Sequence, residues 1–235
     1  MDHVDVANTF FTLLTLGANA AVAFAALLAL ASLVSSGARR FAGHVVDAVG
    51  PSARLLAWLV ATVATLGSLY YSEIADFVPC RLCWFQRNCM YPLAAILLVG
   101  LVLRDSRVRV YAAPFVVVGA PLSLYHWLVE RGVFAESSSC SVTVPCAVPW
   151  FEELGYVTLA FMALSAFLLI GTLLLVDRAA ERRSDGSEAA PTGDHGANDA
   201  DDDHVRDDGE HDRREHDRRE HDDEPGDPVP ALEGT

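Results

Sequence analysis

The chain has 235 residues, 52% of them hydrophobic, and a formal net charge of −14. The charge is uneven: residues 1–176 carry nine Arg against ten Asp and Glu, whereas residues 177–235 carry eight Arg against 21. An apolar, nearly neutral body with an acidic tail leaves no basic surface for nucleic acid.

Taken in order, five apolar runs approach bilayer length, near 9–35, 53–74, 86–103, 110–128 and 155–176. A hydrocarbon core of about 30 Å needs roughly 20 helical residues. Lipid offers no partner to backbone N–H and C=O groups, so each run is expected to be a helix. None alternates with period two, which argues against a β-barrel. The first run is too long for a signal-peptide core, and the acidic start Met1-Asp2-His3-Val4-Asp5 lacks the basic stretch of a cleavable leader.

Arginine orients the spans. The connections on one side carry Arg39, Arg40, Arg54, Arg104, Arg107, Arg109, Arg178, Arg182 and Arg183, against Arg81, Arg87 and Arg131 on the other. The Arg-rich side is expected to be cytoplasmic. The N-terminus and the 75–87 and 129–154 loops then lie outside, and the tail inside. All 17 basic residues are Arg. A lysine-free, acidic composition suits a salt-rich cytoplasm and points to a halophilic archaeon, although a GC-rich genome also favours Arg.

The second outer loop leads into Val78-Pro79-Cys80-Arg81-Leu82-Cys83-Trp84-Phe85-Gln86-Arg87. Two residues between cysteines let the sulfurs close a small ring at a helix start, where unpaired N–H groups stabilise a thiolate; Cys83 is placed for that role. Arg87 lies one turn further on the same face and can stabilise that thiolate or a bound anion, or snorkel to headgroups. The third outer segment holds Ser137-Ser138-Ser139-Cys140-Ser141-Val142-Thr143-Val144-Pro145-Cys146, an exposed loop by its Ser and Pro. A bridge over so short a loop adds little chain-entropy stabilisation, and exchange explains it better than a structural clip does. Both pairs fall on the side where disulfides persist. Zinc bound by all four cysteines is a competing reading that counting leaves open, although a bundle held by lipid has little need of structural zinc. Cys89 reads as a small buried hydrophobe without a role. His126 reads equally as a donor to a ligand and as an interfacial residue beside Trp127. Tyr70, Tyr71, Trp84, Phe85, Trp127 and Trp150 gather on the outer side, most as belt anchors and some as the lining of an apolar quinone pocket.

Beyond residue 184 the chain is low in complexity, with Glu-His-Asp-Arg-Arg at 210–214 and again at 215–219. Too few hydrophobes remain to offset ordering entropy, so a disordered tail is expected. Its five His lack fixed ligand spacing and read as part of a solvated tail rather than as a metal site.

The run from Pro79 to Arg87, continued by Met90-Tyr91-Pro92-Leu93, resembles the disulfide bond formation protein B family (DsbB, with its BdbC-type members), as does the later cysteine pair followed by an apolar helix. The resemblance covers roughly residues 53–176. It implies a four-helix transmembrane core that reoxidises a DsbA-like thioredoxin-fold protein outside the membrane and passes the electrons to a membrane quinone, of menaquinone or ubiquinone type. By resemblance, Cys80 and Cys83 are the pair beside the quinone, with Cys83 in contact with it, Arg87 supports quinone binding, and His126 sits near the quinone site. Cys140 and Cys146 are the loop pair that exchanges with the partner, Cys140 being the point of attack. No metal is implied.

The expected architecture is an all-α integral membrane protein: an extra N-terminal helix and cytoplasmic loop (1–52), a redox bundle (53–176) and a disordered acidic tail (177–235). Two alternatives remain. A vitamin K epoxide reductase-like enzyme also pairs loop cysteines with a Cys-x-x-Cys, but in the reverse chain order. A non-enzymatic membrane protein with two structural disulfides would hold no quinone.

Overall fold

The computed structural model describes residues 3–135, 140 and 144–188. The five apolar runs form α1 (His3–Val34), α2 (Ser36–Glu73), α3 (Arg81–Leu103), α4 (Val108–Glu130) and α5 (Leu159–Glu188). Each is long and apolar enough to cross a bilayer. Among the described residues the only extended pairing is an isolated bridge between Glu153 and Val157. The chain is an all-helical, multi-pass membrane protein.

Helices α2 to α5 form the core, each packed against its neighbours in the order α2, α3, α4, α5 and back to α2, while α1 lies against α2 and α5. Leu93, Leu97, Phe167 and Ile170 fill the centre of this bundle. Between lipid-embedded helices no hydrophobic effect drives association, so close backbone approach has to supply the contact. Gly119 supplies it here, since a Cβ at that position would collide with the Phe167 ring.

Helix ends differ from the hydropathy reading, and each difference has a local cause. Helix α2 starts at Ser36 rather than near 53. Ser35 caps it, accepting from the Ala38 N–H, and the first turns carry Arg39, Arg40, His44 and Asp47, too polar to score as a span. Helix α5 runs past residue 176 to Glu188 because its last turns are tied to the bundle. Arg54 donates to Asp177 (2.8 Å) and Glu181 (2.6 Å), Arg109 pairs with both, and Arg183 pairs with Asp47 (2.9 Å). Residues 177–188, expected in the tail, are therefore helical. The remainder of the tail, with its repeats and expected disorder, lies outside the described residues. These ion pairs join the first half of α2 (Asp47 and Arg54), the start of α4 and the end of α5 at one end of the bundle. The Cys80–Cys83 segment lies at the other.

Helix α1 has a reversed amphipathic pattern. Its buried residues are polar, Asn8, Thr12 and Thr15, with Asn19 continuing the same face, while Phe10, Leu13, Leu27 and Leu30 are exposed. The spacing of four, three and four residues makes a single stripe. Tyr71 Oη donates to Asn8 Oδ1 (2.8 Å), and Asn19 Nδ2 donates to Ser165 Oγ (2.9 Å). Apolar groups face lipid, and hydrogen bonds dock the helix.

Candidate redox site

Pro79 ends an extended segment and Cys80 becomes the N-cap of α3. Its Sγ accepts the backbone N–H of Cys83 at 3.3 Å. The helix-start stabilisation expected for Cys83 therefore falls on Cys80. The two thiols are 2.9 Å apart, so a disulfide needs them to close by only about 0.9 Å. The Cys83 thiol, donating to the Cys80 sulfur, is the main cause that pulls the Cys80 thiol down to about 4; burial opposes the shift, and His126 and the Cys83 N–H reinforce it. The thiolate absorbance of the reduced pair, taken as a difference from Cys80→Ser, is accordingly expected to titrate well below the ordinary thiol range. A midpoint near 8.5, the ordinary thiol value, would contradict this assignment.

Cys140 and Cys146 form a disulfide. Cys80, Leu82 and Cys146 are buried together, and Cys83 and Cys140 pack against them, so four sulfurs gather in one apolar cluster. Within it Cys146 is 1% exposed, whereas Cys140 is only part-buried. Cys146 is thus the buried member of the loop pair, in the same cluster as Cys80, and Cys140 the more accessible one. Cys89 packs beside the core of the bundle, away from this cluster.

His126 is 2% exposed. Its Nε2 lies 3.5 Å from Cys80 Sγ, and Gln86 Nε2 donates to its Nδ1 at 3.0 Å. Because the amide nitrogen can only donate, Nδ1 accepts and the neutral ring carries its proton on Nε2, facing the sulfur. Nε2 is also 3.9 Å from Glu130, whose other oxygen accepts from Thr158 Oγ1 at 2.5 Å. Cys80 and Glu130 therefore share the Nε2 side of the buried His126 ring, the sulfur at 3.5 Å and the carboxylate at 3.9 Å, beyond hydrogen-bond distance. Helical periodicity sets this arrangement: His126 and Glu130 are one turn apart on α4.

Cys83 opens on its other side into a cavity of about 310 Å³, far more apolar than polar in its walls. Arg87, Gln86, Ser68, Tyr91, Thr15 and Ser165 are among its polar residues. Arg87 donates to the Ser68 carbonyl (2.9 Å) and lies over the Trp84 ring, which fixes its guanidinium beside the cavity. Tyr71 and Trp150 belong to the lining, while Trp84 and Phe85 face outward as the belt reading has them. Phe77 stacks on Trp150 (4.9 Å), and both rings line the cavity. An apolar slot with a few convergent donors suits a flat ring bearing carbonyls. His126 does not line this slot and reaches it only through Cys80 and Gln86. Cys80, Cys83 and His126 also place their ligand atoms within 4.8 Å of one another. Two sulfurs 2.9 Å apart are nevertheless closer than the about 3.7 Å edge of a zinc tetrahedron with 2.3 Å bonds.

The sequence reading missed Gln86, Glu130, Thr158, Ser68 and Tyr91. Gln86 and Glu130 each sit one turn from a residue it had singled out, which is the signal that could have found them.

A membrane bundle that holds a thiol pair against a loop disulfide, above an apolar cavity, defines a dithiol–disulfide oxidoreductase embedded in the bilayer. The profile described as "Disulfide bond formation protein DsbB" matches residues 51–177. The chain belongs to that family and is a membrane enzyme of disulfide bond formation. It is 44% identical over 114 residues to "Disulfide bond formation protein C" of Bacillus subtilis, covering 48% of this chain and 83% of that protein. It is 42% identical over 114 residues, with the same coverage, to "Probable disulfide formation protein C" of Halalkalibacterium halodurans. No solved structure matches. Membership sets aside the vitamin K epoxide reductase-like and non-enzymatic alternatives. These relatives are bacterial and lend no support to an archaeal, halophilic source.

Proposed function

We propose that the protein reoxidises a DsbA-like thioredoxin-fold dithiol outside the cytoplasmic membrane and passes the electrons to a membrane quinone, of menaquinone or ubiquinone type. The observation that carries this reading is the gathering of Cys80, Cys83, Cys140 and Cys146 in one cluster with Cys83 at the head of the cavity. The partner's thiolate attacks the accessible Cys140, Cys146 leaves, and the partner closes its own disulfide, leaving two loop thiols. Cys146 then attacks Cys80 of the oxidised inner pair and Cys83 leaves. Cys140 resolves the mixed bond, so the loop disulfide re-forms and the inner pair holds two electrons and two protons. Every transfer is thiolate attack on a disulfide. A quinone held in the cavity would supply the two-electron, two-proton acceptor that lets Cys80 and Cys83 close again. Arg87, Tyr91 and Gln86 are the groups that would hold its carbonyls, and the apolar walls would hold its ring.

The orientation follows from charge. The Arg-rich connections share the end of the bundle opposite the cysteines, and the positive-inside rule puts that end in the cytoplasm. The N-terminus and both cysteine pairs are then extracytoplasmic.

The test is anaerobic mixing of purified protein with quinone and a reduced thioredoxin-fold dithiol, following quinone absorbance. Stoichiometric quinone reduction is expected, and its absence would sink the reading. Arg87→Ala is expected to raise KM for quinone by about 10- to 100-fold with a smaller effect on kcat, the loss of one charged hydrogen bond. An unchanged KM would remove Arg87 from the acceptor site.

A further inference from the structure

Helix α1 lies outside the matched region 51–177, yet it contributes Phe11, Leu14, Thr15 and Ala18 to the cavity wall. The remaining walls come from α2, α3 and α5, and α1 packs on the α2 and α5 faces. Those two faces would otherwise meet lipid. The contact is built rather than incidental. Asn8 and Asn19 bind Tyr71 and Ser165 on either side of the cavity-lining residues. Between them, Phe11 lies over Gly67, where an added Cβ would come within 2.7 Å of its ring. Phe77 and Trp150, stacked on each other, also line the cavity, and over the α2 and α5 faces its wall toward the bilayer is α1.

We propose that α1 is the specificity wall of the acceptor site, and that Phe11, Leu14 and Ala18 select quinones by the bulk and length of the isoprenoid chain leading out of the cavity. The inference rests on the quinone reading above and adds to it a residue set outside the bundle that the family shares. A ring head fits among α2, α3 and α5, whereas a tail must pass the α1 side chains. Apolar pockets discriminate by added or missing methylenes, at about tenfold or more per group at a tight wall.

The test compares Ala18→Phe and Phe11→Ala with the unaltered protein in detergent, using a tail-less quinone and the same head with an isoprenoid tail. Ala18→Phe is expected to raise the ratio of KM for tailed over tail-less quinone by about tenfold, and Phe11→Ala to lower it. A second measurement, single-turnover reduction of the protein's own disulfides by a dithiol without quinone, reports whether the bundle and relay are intact. Normal exchange with an unchanged KM ratio in both variants would overturn the role of α1 and leave the quinone reading standing. Normal exchange with no reduction of either quinone by the unaltered protein would overturn the quinone reading instead.

Discussion

Cys83→Ser is expected to abolish quinone-coupled oxidation of a dithiol partner, by about 10³-fold or more, as the loss of a covalent participant does elsewhere. It is also expected to trap a bond between Cys80 and Cys146. With Cys83 gone the inner pair cannot close, and Cys80, ionised at neutral pH, faces a buried loop sulfur in the same cluster. Its thiolate attacks Cys146 and displaces Cys140, so the Cys80–Cys146 bond stands in exchange with the loop disulfide and is held once the freed Cys140 thiol is alkylated. Cys80→Ser is equally inactive but leaves the loop disulfide intact, because Cys83 opens toward the cavity instead. Cys140→Ser blocks entry of electrons and preserves quinone reduction from a chemically pre-reduced inner pair. Non-reducing peptide mapping of the three variants reads the pattern directly. A Cys83–Cys146 bond in Cys80→Ser, as abundant as the Cys80–Cys146 bond in Cys83→Ser, would show that the two inner thiols are not divided between loop and cavity.

That division of labour was only partly legible in the sequence. Hydropathy located five helices and the cysteine spacings located the chemistry, because both signals are local. The stretch before residue 53 was read as a loop since Arg39, Arg40 and Asp47 lower its hydropathy; in space Asp47 meets Arg183 and the helix persists. The end of α5 was assigned to the tail for the same reason, and the partners of Asp177 lie on α2 and α4, far away in sequence. Gln86 and Glu130 stand one turn from Cys83 and His126, but that spacing alone does not separate a buried polar residue from an interfacial one. Their meaning depends on His126 pointing inward, which only packing decides. The stripe of Asn8, Thr12, Thr15 and Asn19 was visible all along. Polar residues recurring at helical spacing in an otherwise apolar span mark the face that meets other helices.

The grouping of Cys80, His126 and Glu130 supports the second large effect. Each time the inner pair opens or closes, negative charge appears on or leaves the Cys80 sulfur, which water barely touches, and a proton must be supplied or taken up beside it. After the Cys83 thiol, His126 Nε2 is the acid–base group that lies against Cys80 Sγ, and Gln86 holds the tautomer that aims its proton there. His126→Gln keeps a donor amide in the site but removes a group that exchanges protons near neutral pH. The expected loss is about 10²- to 10³-fold in electron transfer from the loop pair to the acceptor, within the usual range for a positioned general acid–base. Glu130 meets the sulfur only through His126, so Glu130→Gln is expected to cost less, about tenfold. The double variant should then be no slower than His126→Gln alone, since the carboxylate has nothing left to act on. Rapid mixing of the four proteins with a reduced dithiol, across pH 5 to 9, separates this from a packing defect. A lost proton relay flattens the pH profile of the transfer step and leaves the first attack on Cys140 unchanged. Additive losses, or an equal slowing of that first attack, would reduce His126 and Glu130 to structural parts of the bundle.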